Sequence, residues 1–386
     1  MKLLFTGLPH AINNTTQTAT MRYSTILYSC FFISLVVAGC SKEHAPNLDP
    51  QYQSKDTVKT FTNPIKRSAL DPYVTQKDGF YYYMNTGANY LILTRTQEMI
   101  FLDQAYSKTI YTPPVISDYN TNVSKPEIHF LEGKWYTYFS ADNGQPANRR
   151  VYVIENSSAD PLQGTWEFKG KVADPANDFI ATDGTVFEYN NALYFLWSGF
   201  KAAPTSETNV EQSIYIAKMK DPYTLESGRV LIAEPTNAWE RHQYTESGKT
   251  YRVALNQNPE VIKNQGGDVF VTYTANTCVT DNVSLGLLTL KSGSDPLVAE
   301  NWTKSASPVF SSSRDAYGPA FNGFFKSADG KEDWIIYNAN PLPGQGCNVT
   351  RTPRIQKFGW KADGSPDFGA PVGTTLATDA LLRPSK

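Results

Sequence analysis

The feature that most constrains the fold of this chain is a β-hairpin that occurs five times. One copy runs from Ala181 to Gly199 and reads ATDGTVFEYNNALYFLWSG. Two runs rich in aromatic and β-branched residues flank Asn190-Asn191, and such runs joined by an Asn turn read as a hairpin. The second half recurs as GFYYYMNT from Gly79, KWYTYFSA from Lys134, ALYFLWSG from Ala192, DVFVTYTA from Asp268 and EDWIIYNA from Glu332. The anchor aromatics Tyr81, Tyr136, Tyr194, Phe270 and Trp334 are separated by 55, 58, 76 and 64 residues. Three units also carry an Asp-Pro pair downstream, at Asp160, Asp221 and Asp295, and two of these are followed by Trp166 and Trp302. Little helical periodicity accompanies the hairpins. Small antiparallel sheets repeated along a chain close radially, which predicts an all-β, five-bladed β-propeller in a single domain. A β-sandwich with coincidental Tyr-x-Tyr strands is the alternative, and it gives no reason for five ordered copies. The units exceed the ~40–45 residues of a common propeller repeat, so long loops are expected, and long loops often carry sites.

In a propeller the innermost strand of each blade lines the central axis. The first run of each hairpin is the candidate for that strand, so the residues that open it should meet at one end of the channel. Read in this way they are Asp71, Glu127, Asp183, Gln257 and Phe321. Carboxylates brought together push one another's pKa values apart, as acid/base chemistry requires. Asp71-Pro72 and Asp183-Gly184 also suit plain turns, and Glu127 stays open between a site role and none.

Composition narrows the partners. Lys and Arg total 35 against 37 Asp and Glu, without a long basic block, so nucleic acid is not an expected partner. From Met21 a single Arg precedes an apolar run that ends in Ala38-Gly39-Cys40. This is a secretory signal, and its ending resembles a bacterial lipobox with Cys40 as the lipidated residue. The run is shorter than the ~20 residues a membrane span needs. Residues 1–40 are therefore expected to be a leader, with Met21 a candidate true start. Residues 41–60 would be a polar tether and 61–386 the propeller. The expected location is exported and lipid-anchored to a bacterial membrane, in the periplasm or at the cell surface. Cys278 and Cys347 remain in the mature chain, where a disulfide or two free thiols are both open. No Cys/His metal spacing occurs.

The ordered pieces DPYV with DGFYYY, KPEIHFLEGKWYTYFSA, TDGTVFEYNNALYFLWSG, NPEVIKNQGGDVFVTYTA, and GPAFNGFFKSADGKEDWIIYNA with RTPRIQKFGW resemble glycoside hydrolase family 43. They span about residues 65–375. The resemblance is to exported members of the α-L-arabinofuranosidase type. It implies a five-bladed propeller and hydrolysis with inversion by a base, an acid and a third carboxylate that tunes the acid. On the matching motifs Asp71 would be the general base and Asp183 the carboxylate that raises the acid's pKa. The family's Glu-Gly-Pro acid triplet reads Gln257-Asn258-Pro259 here. An amide cannot protonate a glycosidic oxygen, and Glu260 could substitute only if a bulge at Pro259 turned it to the same side. The family's Gly-Pro-Gly-His reads Gly318-Pro319-Ala320-Phe321. No cofactor is expected, and an axial calcium loses the His that would face it. Candidate substrate contacts are Glu127, Trp197, Tyr317, Phe321 and Arg351. The implied function is an inverting glycosidase, monomeric, acting on arabinose- or xylose-containing plant polysaccharides or oligosaccharides. The alternative is a glycan-binding propeller that kept Asp71 and Asp183 and lost its acid.

Overall fold

The computed structural model describes residues 60–379 apart from positions 205 and 376. The leader, Cys40 and the tether up to residue 59 lie outside the described residues, and Thr60 opens a strand. The hairpins become the inner two strands of five antiparallel units. The inner strands are Leu70–Lys77, Thr121–Leu131, Ala181–Tyr189, Lys249–Lys263 and Tyr317–Lys326. Each pairs with the second strand of its unit, Phe80–Thr86, Lys134–Asp142, Ala192–Gly199, Val269–Ala275 or Asp333–Asn340. Third and outer strands follow in each unit. Each inner strand lies against the next, and the fifth lies against the first, so the sheets close a ring. The fold is a five-bladed β-propeller.

The core is distributed as the ring requires, with one apolar cluster at each junction between blades. Tyr82, Trp135 and Phe139 join blades one and two, while Tyr138, Phe195 and Trp197 join two and three. Leu196, Ile214 and Tyr273 join three and four, Leu285 and Tyr337 join four and five, and Tyr81, Phe325 and Trp334 join five and one. Full burial of a large apolar side chain is worth about 1.5–3 kcal/mol, so each junction is a substantial share of the stability. Alternation along the strands explains how both sheet faces are used: Tyr81 and Tyr83 face blade five while Tyr82 and Met84 face blade two.

The Asp-Pro repeats form local turns. Asp160, Asp221 and Asp295 each accept a hydrogen bond from the backbone N–H two residues on, at 3.0, 3.0 and 2.9 Å, the Asx turn these residues favour. Trp166 and Trp302 donate their indole N–H groups to the carbonyls of Pro161 and Pro296. One elongation departs from the repeat: Lys249–Lys263 begins well before its bulge, and its first half pairs with Arg241–Glu246 and runs parallel to residues of blade three. That parallel pairing merges blades three and four into one hydrogen-bonded sheet.

Candidate active site

Every inner strand carries a β-bulge, near its start in all but Lys249–Lys263, where the bulge follows the extra first half. The two unpaired residues are Asp71-Pro72, Lys125-Pro126, Asp183-Gly184, Asn258-Pro259 and Phe321-Asn322. The first residue of each pair has positive φ, at 55°, 53°, 56°, 51° and 52°. For residues other than Gly this left-handed conformation costs on the order of 1–3 kcal/mol and is found where structure over-determines it. Five such residues at equivalent places around one axis mark this end of the channel as the candidate site.

The register corrects two members of the sequence-derived set. In blade two the residue equivalent to Asp71 and Asp183 is Lys125, and Glu127 stands two residues deeper. In blade four the equivalent is Asn258, and Gln257 immediately precedes the bulge, paired across to Thr274. A dipeptide that three of the hairpins share would have shown this. Asp71, Lys125 and Asn258 all precede a Pro, so aligning on Pro selects Lys125 and Asn258.

A repeated hydrogen bond holds the bulges. The residue opposite each bulge entrance is polar: Thr86, Ser140, Ser198, Thr274 and Asn338. In four cases its side-chain oxygen accepts the bulge N–H of the following blade. Thr86 accepts from Lys125 at 2.8 Å, Ser140 from Asp183 at 2.9 Å, Thr274 from Phe321 at 2.9 Å, and Asn338 from Asp71 at 2.8 Å. A buried N–H without a partner is costly, which explains polar residues at the ends of otherwise apolar strands. The exception is the Asn258 N–H, which donates to the Asp183 carboxylate, Oδ2, at 3.1 Å. Ser198 donates instead to the carbonyl of Asn256.

Asp183 is buried, and its other oxygen accepts the Thr182 hydroxyl at 2.8 Å. Arg149 braces this corner. Its buried guanidinium meets Thr182, Asp142, Ser124 and the carbonyl of Asn122. Across the mouth Asp71 accepts the Thr86 hydroxyl at 2.6 Å and pairs with the Lys125 ammonium at 2.8 Å. The Gln257 side chain is half-buried and makes no hydrogen bond to a described residue, so its amide is available to a ligand.

The bulge at Asn258-Pro259 also decides where Glu260 points. It brings Glu260 to the position equivalent to Glu127 and Tyr73, one step deeper in the channel. There Glu260 is buried and hydrogen-bonded to Glu127, and desolvation together with the Glu127 charge raises its pKa well above the ordinary value. Glu127 reaches His129 at 3.2 Å, and His129 reaches the Tyr73 hydroxyl at 3.3 Å. This is a polar plug beneath the bulge ring. Glu127 therefore sits in the plug and not at the mouth.

The remaining candidates separate. Trp197 is buried at the junction of blades two and three, stacked between Phe195 and Tyr215. It has no face to offer a ligand, because its strand is the second of the blade and its ring lies in the core between blades two and three. Tyr317 and Phe321 are half-buried on the blade-five inner strand. Arg351 is buried beside them, donates to the carbonyl of Gly318, and lies 5.9 Å from the Phe321 ring. Its Nε and Nη1 reach no acceptor among the described residues, and burial pushes its pKa down to about 10. Cys278 and Cys347 are joined in a disulfide that ties a blade-four loop to the blade-five loop preceding Arg351.

An axial calcium does not fit these residues. Calcium takes 6–8 oxygen ligands, whereas Phe321 supplies none and an ammonium stands over its ring. Among the described residues no group of three or more His, Cys, Asp or Glu is placed to hold a metal.

Five blades closing a channel whose mouth carries two held carboxylates define the class, a propeller with a pair of carboxylates at its axial mouth. The chain belongs to glycosyl hydrolases family 43, whose sequence pattern matches residues 61–366. It is 37% identical over 324 residues to an extracellular exo-alpha-(1->5)-L-arabinofuranosidase of Streptomyces avermitilis, covering 81% of this chain and 64% of that protein. It is 30% identical over 325 residues to alpha-L-arabinofuranosidase 43 of Humicola insolens, again covering 81% and 64%. The chain thus spans 64% of the length of these two relatives. The crystal structure of an alpha-L-arabinofuranosidase from Lactobacillus brevis superposes with a TM-score of 0.72 at 30% identity, covering 82% of this chain and 98% of that one.

Proposed function

We propose that this chain is an exported, lipid-anchored glycosidase of the arabinofuranosidase type, acting with inversion on arabinose- or xylose-containing plant polysaccharide or oligosaccharide. The observation that carries the reading is the bulge ring. It sets Asp183 against the backbone beside Gln257 and sets Asp71 on a different blade across the mouth. In an inverting reaction one carboxylate takes a proton from water on one face of the sugar while an acid protonates the departing oxygen on the other. Asp71 would take the water proton, and Asp183 would orient and tune the group at position 257. Tyr317 and Phe321, half-buried on the blade-five inner strand, would be apolar walls for a sugar, with the buried Arg351 behind them. Names of the relatives, including one called extracellular, support the sugar class and the export.

Gln257 sets the terms of the reaction. Its amide can hydrogen-bond the departing oxygen but has no proton to transfer, and general acid catalysis is worth about 10²–10⁴ in rate. Aryl arabinofuranosides, whose leaving group needs little protonation, should be turned over much faster than arabinan oligosaccharides. Gln257→Glu should raise the oligosaccharide rate by about 10²–10⁴, and Asp71→Asn should abolish both activities. The Gln257 amide also favours a second reading, a glycan-binding propeller. Tight oligosaccharide binding with no turnover of either substrate would select it and overturn the first.

A further inference from the structure

Lys125 belongs to the bulge ring, yet neither the base, the tuning carboxylate nor the substituted acid position accounts for it. Its side chain is only 11% exposed, and its ammonium gathers contacts from three other blades. Nζ lies 2.8 Å from Asp71 Oδ1 in blade one and 3.4 Å from Asn258 Oδ1 in blade four. It stands 3.1 Å from the centroid of the Phe321 ring in blade five. A carboxylate, an amide oxygen and an aromatic face around one ammonium are the surroundings of a bound cation. Four of the five bulge residues thus meet at one positive charge, and the fifth, Asp183, is held separately.

We propose that the Lys125 ammonium is the resident cation of the axial mouth and the positioning residue for Asp71. It fixes one Asp71 oxygen while Thr86 fixes the other, which sets the carboxylate plane that a water molecule would meet. It also occupies the space and charge that a metal ion on the axis would take, so the Phe321 substitution and Lys125 act as a pair. Phe321 offers a ring face where the family resemblance implies a His, and the ammonium stands over that face. The positioning role rests on the reading of Asp71 as base; the cation role does not.

The full chain carries the test. Thermal melting with calcium chloride or with a chelator should give the same midpoint, and a calcium-dependent rise in the wild-type midpoint would overturn the cation role. Lys125→Met should lower kcat on an aryl arabinofuranoside at least tenfold with KM within about twofold, as expected when a reacting group loses its orientation. Lys125→Arg, or added propylamine with Lys125→Ala, should recover much of that loss. A loss that falls mainly on KM, or that neither arginine nor the amine restores, would overturn the positioning role. Turnover that survives Asp71→Asn would sink the base reading instead, and the calcium melts would still decide the cation role.

Discussion

Two buried carboxylates outside the proposed chemistry show how a single residue's surroundings set its contribution. Glu260 keeps its proton in the folded chain at pH values where the unfolded chain has released it, because burial and Glu127 hold its pKa above the ordinary 4.5. Above that value folding takes up a proton, so stability falls as pH rises. Glu260→Gln should therefore leave the melting temperature nearly unchanged at pH 4 and raise it at pH 7.5, readable by paired thermal scans. Glu240 differs in being held by charged and polar partners. It is buried against Lys304 at 2.6 Å, accepts the Tyr273 hydroxyl at 2.8 Å and the Asn256 amide at 2.9 Å, and closes a capping box with Asn237. Glu240→Ala strands a mostly buried ammonium and should cost about 3–5 kcal/mol. In urea unfolding the double change with Lys304→Met should be less damaging than the single one.

At the scale of the element, the second strands work through alternation and the loops work through ties. Gly286 in the third strand of blade four exists because the Tyr273 ring lies across it; a Cβ there would sit 2.1 Å from the ring. Gly286→Ala should displace Tyr273 from Glu240 and lower stability by about 1–3 kcal/mol, the range for overpacking. The Cys278–Cys347 bond closes 69 residues of chain. Replacing both with Ser should cost about 2–4 kcal/mol, measurable by denaturation with and without reductant. Since the blade-five loop leads into Arg351, the same variant should raise KM more than it lowers kcat.

The whole molecule depends on closing the ring between blades five and one. Besides the apolar cluster at that junction, residues before blade one fasten onto blade five. Thr60–Thr62 pairs with Ala377–Asp379. Buried Asn63 exchanges two hydrogen bonds with the backbone of Ile355, at 3.0 and 2.9 Å. Asn63→Ala would leave both backbone groups unpaired in the interior and should cost about 2–4 kcal/mol, seen as a lower unfolding midpoint with unchanged cooperativity.

Much of this was legible in the sequence because a propeller is written as a repeat. Five hairpins with aromatic anchors determined the blade count, the inner strands and the placement of Asp71 and Asp183, since period-two patterning and turn residues act locally. The Asp-Pro turns are equally local. What only the tertiary structure decided is the register at each bulge. An extra residue in a strand changes which side chain reaches the axis, and a slip of one place exchanges Gln257 for Asn258. The same bulges set Glu127 and Glu260 together in the plug and placed Lys125 between Asp71, Asn258 and Phe321. Those contacts join residues up to two hundred positions apart in the chain, and long-range convergence leaves no trace in local pattern. The ring of blades follows from the sequence, and the charge at its centre follows from how the ring closes.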